Sequence, residues 1–305
     1  MDMANFTLHE QIESKHQVHP KQRILNLVVK LVVATVLLMA VGSATRVMNA
    51  GLACPDWPLC YGTLVPTQQM NLQVFLEWFH RLDASLIGLG AIFLMGLSWW
   101  YRQELPRWLP WAATGSLGLV VFQGLLGGLT VTQLLRFDIV AAHLGTALLF
   151  FLSLVIIWML LLPYNGTGAT GKLPWMGTVA ASLVYIQSIL GALVASQWAV
   201  HQCLGGNQLC AIMHSHIAGV LPPLITTAIL IIWARRTPAL HPLLRRLIHY
   251  AAGLLVLQIL LGVGTLWLHL QVEPLTVAHQ TIGACLLGIL TAFSVLAWRD
   301  NVPNH

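Results

Sequence analysis

The chain has 305 residues, of which 57% are apolar and only 8% charged, and its mean hydropathy is +0.75. Soluble domains carry about 25% charged residues, so a soluble enzyme is excluded, and so is a disordered chain. The net charge of +5 is dispersed among apolar runs rather than gathered on a face, which speaks against nucleic-acid binding.

The apolar runs are continuous rather than alternating, so they read as membrane-spanning helices and not as barrel strands. Residues 1–25 are polar and carry no sign of a cleavable signal peptide, which makes the first apolar run a signal anchor. Eight spans follow, at 26–47, 73–100, 108–131, 138–162, 175–199, 212–234, 247–270 and 275–298. Twelve of the fifteen basic residues fall on one side of these spans: Lys15, Lys21, Arg23, Lys30, Arg102, Arg107, Lys172, Arg235, Arg236, Arg245, Arg246 and Arg299. Only Arg46, Arg81 and Arg136 lie on the other. The positive-inside rule then places both termini in the cytoplasm and the loops near 48–72, 132–137, 200–211 and 271–274 outside. Trp57, Trp78, Trp108, Trp111, Trp175, Trp198 and Trp298 fall near span ends, as an interfacial belt does.

The two halves repeat. Gly42 and Cys54 of the first correspond to Gly191 and Cys203 of the second, both separated by 149 residues. Gln123-Gly-Leu-Leu-Gly-Gly corresponds to Gln258-Ile-Leu-Leu-Gly-Val at a separation of 135, and Ala142-His143 to Ala278-His279 at 136. With four spans per unit the repeats are parallel. The fold class expected is an all-α membrane protein of eight transmembrane helices in two pseudo-symmetric four-helix bundles, 26–162 and 175–298.

Of thirteen histidines, His80, His143, His216 and His279 stand out, each five to eight residues inside the outer end of an even-numbered span. At 1.5 Å per residue they sit about 8–12 Å below that end. Both pairs are separated by 63 residues, so each half sets two imidazoles on two helices at one depth. Ionisable residues inside a membrane are functional by default. No Cys or carboxylate joins either pair at ligand spacing, so a zinc site lacks donors, whereas two facing imidazoles suit the axial positions of a haem iron. Gly88, Gly90, Ala141, Ala142, Gly145, Gly219, Gly283 and Ala284 would admit a flat macrocycle, or serve ordinary close helix packing. His214 competes with His216, because both align with His80; the 63-residue spacing favours His216.

Glu77 lies one turn before His80, and its repeat counterpart is Met213, or Ala211 if His214 is the ligand. A carboxylate present in one half only suggests acid/base or cation-stabilising chemistry there and electron transfer in the other; the alternative is an interfacial ion pair with Arg81. Arg46, Arg81 and Arg136 suit the binding of haem propionates, with interfacial snorkelling as the alternative. Cys54/Cys60 and Cys203/Cys210 form close pairs in outer loops, where either a structural or a redox-active disulfide is allowed. Cys285, inside the last span, is read as a packing residue.

In the duplicated eight-span layout, Glu77-Trp-Phe-His80-Arg81, His143, the two cysteine pairs and Ala278-His279, the chain resembles the haem A synthase family over most of its length. That resemblance implies an oxidoreductase of the cell (inner) membrane that converts haem O to haem A for terminal oxidases. It implies that the C8 methyl is hydroxylated, twice, with water as oxygen source, and dehydrated to a formyl group. By the same resemblance His80 and His143 hold substrate haem O, His216 and His279 hold a haem b cofactor, Glu77 is the catalytic carboxylate, and Cys54/Cys60 are the outer cysteine pair. A haem O synthase would supply the substrate, a quinone or other acceptor would take the electrons, and Gly124-Leu-Leu-Gly-Gly128 would permit homo-oligomers. Two other readings compete: a duplicated cytochrome b that only carries electrons, which has no use for Glu77, and a membrane thiol–disulfide relay, which leaves the four histidines unused.

Overall fold

The computed structural model describes residues 20–195, 208–268 and 271–301. Its helices are α1 (Pro20–Val47), α2 (Leu72–Trp100), α3 (Leu109–Thr132), α4 (Phe137–Leu161), α5 (Leu173–Val194), α6 (Gln208–Ala218), α7 (Leu221–Arg236), α8 (Pro242–Trp267) and α9 (Glu273–Asn301). Eight spans are long and apolar enough to cross a membrane, with α6 and α7 together supplying the sixth, Ala211–Arg236. The all-helical expectation holds; among the described residues the only strand-like contact is a single bridge between Cys60 and Thr63.

Local chemistry accounts for several helix starts. Asn71 caps α2 by accepting from the Val74 N–H at 3.0 Å. Prolines occupy the first turn of α3, α5, α7 and α8, where their missing N–H costs nothing. Pro222 and Pro223 also explain the one break within an expected span. They cannot continue the hydrogen-bond ladder of α6, so the sixth span breaks at Gly219-Val220, just beyond His216. Elsewhere α1 and α8 begin five or six residues earlier than expected, because an apolar run marks the membrane core and not the helix end.

Each half closes as a ring. In the first, α1 packs on α2, α2 on α3, α3 on α4 and α4 back on α1; in the second, α5 packs on α6 and α7, α7 on α8, α8 on α9 and α9 back on α5. The halves meet through α1, α4, α5 and α9. Without a hydrophobic drive between helices in lipid, close packing at small residues does this work. A Cβ on Gly288 of α9 would stand 2.7 Å from the Phe151 ring of α4, and one on Gly90 of α2 would stand 2.6 Å from Leu31 of α1. Hydroxyl pairs add specificity: Ser116 with Ser153 at 2.8 Å and Thr178 with Ser294 at 2.7 Å.

At one end of the bundle the linker between halves is tied to the last helix. Buried Asp300 accepts from the Tyr164 hydroxyl, the Thr167 N–H and the Ala169 N–H, and Arg299 donates to the carbonyls of Met159 and Leu162. Burial, then the bond to Asp300, pushes the Tyr164 phenol up from its ordinary value. At the other end lies the loop containing Cys54 and Cys60.

Candidate functional site

The four histidines singled out by spacing occupy four equivalent places, each against a glycine of the neighbouring helix. A Cβ on Gly42 (α1) would lie 2.7 Å from His80 Cε1 (α2), and one on Gly127 (α3) 3.4 Å from His143 Cε1 (α4). In the second half the corresponding distances are 3.0 Å from Gly191 (α5) to His216 (α6) and 2.9 Å from Gly262 (α8) to His279 (α9). The glycines let the Cε1 corner of each imidazole approach a helix backbone. The carbonyls of Leu38, Gln123, Gln187 and Gln258, each four residues before its glycine, face these rings. They fall short of hydrogen-bond geometry at Nδ1 of His80, His143 and His279, which have no partner among the described residues.

His80 and His143 are near enough to interact electrostatically, and so are His216 and His279. Between His216 and His279 lies a cavity of about 390 Å³, walled by Met213, Gln187, Gly191, Gly262, Gly283 and Gln280 among others. That is the size and apolar character of a small-molecule or cofactor site. His216 faces it; His214 is exposed and does not line it. Met213 takes the place in the second half that Glu77 takes in the first. Among the described residues no three His, Cys, Asp or Glu side chains converge as a closed metal site requires. Buried imidazole nitrogens without partners, rings cradled on glycines and a cavity between two of them all fit a flat metallated macrocycle held by two histidines.

Glu77 is almost fully buried, 4% exposed, and both its oxygens are used. Oε1 accepts from Arg81 Nη2 at 2.5 Å, and Oε2 accepts from the Cys54 N–H at 2.8 Å. Arg81 in turn donates to the carbonyls of Asp56, Leu59 and Cys54. The ion pair allowed by the sequence is thus present, with Glu77 buried and Arg81 partly so, and it clamps a loop.

That loop is closed by a disulfide between Cys54 and Cys60, both buried. Asp56 accepts from the Tyr61 N–H at 2.6 Å and the Gly62 N–H at 2.7 Å. The Gly62 N–H chiefly, with that of Tyr61, holds the Asp56 carboxyl below its usual value. Trp57 lies on Gly128 of α3, the residue after the Gly127 that faces His143, and Trp78 Nε1 donates to the Leu64 carbonyl at 2.7 Å. Cys203 and the Cys210 side chain, the other expected pair, lie outside the described residues. Cys285 is a half-buried free thiol.

The three outer arginines have different employment. Arg81 is committed to Glu77 and the loop, and Arg136 pairs with Asp138 through two bonds of 2.9 and 2.6 Å at the surface. Arg46 has no carboxylate partner among the described residues. Its guanidinium crosses between halves and donates to the Ala192 carbonyl at 2.9 Å.

The sequence reading missed the polar residues beside the rings. Gln187 Nε2 lies 2.9 Å from His216 Nδ1 and 2.7 Å from the His216 carbonyl, and Gln258 Nε2 lies 3.3 Å from His279 Nε2. Ser43, next to Gly42, donates to Gln280 Oε1 at 2.8 Å, joining α1 to α9 beside both a first-half and a second-half histidine. The signal was present as Gln-x-x-x-Gly at 123/127, 187/191 and 258/262.

Fold and site together define a duplicated membrane protein with a pair of half-buried imidazoles in each half. The chain matches the model of the COX15-CtaA family, cytochrome oxidase assembly proteins, over residues 25–291, and it belongs to that family. It is 30% identical to the heme A synthase of Caulobacter vibrioides, over 87% of this chain and 92% of that one. The heme A synthase of Shewanella oneidensis is 27% identical over 88% and 95% of the two chains. Heme A synthase COX15 of Mus musculus is 32% identical over about half of each, 50% and 48%.

Proposed function

We propose that the protein is a haem A synthase, an oxidoreductase that converts haem O to haem A. The observation that carries this is the unequal pair of sites: four equivalent glycine-cradled imidazoles, with a buried carboxylate one turn from the first and a methionine in the same place in the other half. In this reading His80 and His143 hold the substrate, haem O, in residues 26–162. His216 and His279 hold haem b in residues 175–298, where it supplies one-electron chemistry that carries electrons away from the first half. The substrate's C8 methyl is oxidised through successive hydroxylation, with water as oxygen source, and loses water to leave a formyl group.

The chain's own residues do four things. The glycines fix the imidazole planes. Glu77, held by Arg81 and Cys54, keeps a negative charge in one place beside the first site; each carboxylate oxygen retains a free lone pair with which to accept from a water or to stabilise positive charge at the methyl. The disulfide loop, with Trp57 on Gly128, covers this region and limits water to that which Glu77 can orient. Arg46 binds a haem propionate, since a guanidinium without a carboxylate is matched to one; Arg81 and Arg136 act through Glu77 and Asp138 instead.

The loop bearing Cys54 and Cys60 faces outward and both termini face the cytoplasm, as the distribution of Lys and Arg supports. Haem O arrives from a haem O synthase, and the electrons leave to a membrane-borne acceptor such as a quinone.

The test is haem extraction and chromatography after expression in a host that makes haem O but not haem A. Haem A appears with the native chain and is lost in Glu77→Ala. Protohaem alone, with no formyl haem from the native chain, overturns the reading in favour of a simple electron carrier.

A further inference from the structure

We infer that Gln187 is a positioning residue that sets the hydrogen bond at Nδ1 of His216, and that it makes the second-half site electronically different from the first. The inference rests on the proposed reading of His216 as an iron ligand and goes beyond it.

The repeat shows what is special about this position. Residues 149 apart correspond, so Gln187 stands where the first half has Leu38. The partner position does not differ in this way, since Gln258 corresponds to Gln123. Three of the four ring-bearing glycines therefore have a glutamine one turn before them, and His80 has a leucine. Of the three glutamines only Gln187 reaches an Nδ1: that of His216 has its amide at 2.9 Å, whereas Nδ1 of His80, His143 and His279 is buried with no partner among the described residues.

The amide also holds the ring in plane. The same Gln187 nitrogen reaches the His216 carbonyl at 2.7 Å, so one planar group bridges the ring and main chain of a single residue. A carbonyl only accepts, so the nitrogen end of the amide faces His216 here. An imidazole that binds iron through Nε2 carries its proton on Nδ1. Half a turn of the amide then offers Oε1 to that proton and gives up the bond to the His216 carbonyl. An amide has both a donor and an acceptor and so serves either tautomer; a carboxylate serves only the Nδ1–H form, and leucine serves neither. An acceptor on Nδ1–H makes the imidazole a stronger donor to its metal, and outer partners of this kind tune the metal as well as orienting the ring. A stronger donor favours the ferric state and lowers the midpoint potential.

The experiment is a spectroelectrochemical titration of the purified, haem-loaded full chain, with the two haems followed separately. The midpoint of the second-half haem should rise in Gln187→Leu and fall in Gln187→Glu, giving the order Leu above Gln above Glu. The reciprocal change Leu38→Gln should lower the first-half midpoint and leave the second unmoved. A role in packing alone would not order Gln and Glu in this way. Should Gln187→Leu fail to accumulate, Gln187→Glu and Leu38→Gln carry the same comparison. Equal second-half midpoints in the native chain and these variants, with both haems bound, overturn the inference. If His216→Ala keeps its second low-spin haem, the ligand assignment itself falls, which is a separate outcome.

Discussion

The Cys54 N–H donates to Glu77 Oε2 at 2.8 Å, so the disulfide loop and the carboxylate one turn from His80 are a single structural unit. Arg81 completes it from the other oxygen and from three loop carbonyls. Removing Glu77 leaves the partly buried Arg81 guanidinium without its counter-charge, which should cost less than the roughly 3–5 kcal/mol of a fully buried pair because three loop carbonyls remain. Glu77→Ala should therefore do two things at once: abolish haem A formation and loosen residues 54–63. Glu77→Gln keeps the acceptor for Cys54 but not the charge. It should lose activity while loosening the loop less than Glu77→Ala does, since only the Arg81 bond is given up, which limited proteolysis of the loop alongside haem analysis would separate.

Cys54→Ala with Cys60→Ala removes the cross-link but leaves every other bond in the unit in place. A disulfide contributes about 2–4 kcal/mol in general, and short loops gain the least. The double variant should fold, accumulate with its second-half haem intact, and show a first-half defect that grows with temperature. Optical spectra of the two sites recorded across a temperature series check this. A parallel loss at both sites would count against local docking.

The glycine cradles predict a graded series. Gly42→Ala would set a Cβ at 2.7 Å and Gly262→Ala at 2.9 Å from an imidazole carbon, both too close without movement. Gly127→Ala would set one at 3.4 Å, an ordinary contact. Overpacking of this kind costs about 1–3 kcal/mol. Haem content per polypeptide should fall sharply for the first-half site in Gly42→Ala and for the second-half site in Gly262→Ala. Gly127→Ala should stay near the native value.

Asp56 gives a pH dependence with a defined sign. Its folded carboxyl is held low by the Gly62 and Tyr61 N–H groups, so its contribution to loop order is complete above the ordinary carboxylate value. The contribution is lost as the pH falls through the lower, folded value. Amide exchange at Tyr61 and Gly62, corrected for intrinsic rates, should therefore quicken only in acid. Asp56→Asn should show the quickened exchange at neutral pH already. Gly62, at φ of 70°, sits in the region that favours glycine, so Gly62→Ala should cost about 1 kcal/mol of loop order through the backbone alone.

Ser43 and Gln280 are 237 residues apart and form one hydrogen bond. A double-mutant cycle of Ser43→Ala and Gln280→Leu should show non-additivity of roughly 1 kcal/mol, the usual net worth of such a bond. Thermal denaturation in detergent reads it, and additive effects would mean the two halves are joined by other contacts.

The spans and the matched depth of His80, His143, His216 and His279 were legible because both depend on distance along one helix. Helix ends were read less well, since Arg245 and Arg246 belong to α8 although they lie outside its apolar run. The break after Ala218 was readable from Pro222-Pro223 but was masked by continuous hydropathy. Spacing favoured His216 over His214, and of the two it is His216 that lines the cavity. Which glycine holds which ring was not legible, because that needs the partner helix. For the same reason Gly88 and Gly90 were weighed as macrocycle neighbours, while Gly42, Gly127, Gly191 and Gly262 were seen only as repeat markers. Arg81 was legible as basic and outer, but its three carbonyl partners come from a loop whose path no periodicity describes.

The burial of α9 has a consequence for how the chain is made. It is the most enclosed of the eight spans, 67% buried against 11% for α8, and it seals α1 and α4 of the first half as well as α5 and α8 of its own. It also comes after every helix that it covers in the order of the chain. Until it inserts, α1 presents Ser43 to lipid without Gln280, and the faces of α4 and α5 lack their cover. The cavity between His216 and His279 is not walled before α9 is in place, so a chain cut short before residue 273 would lack that site and leave the faces of α1, α4 and α5 without their cover.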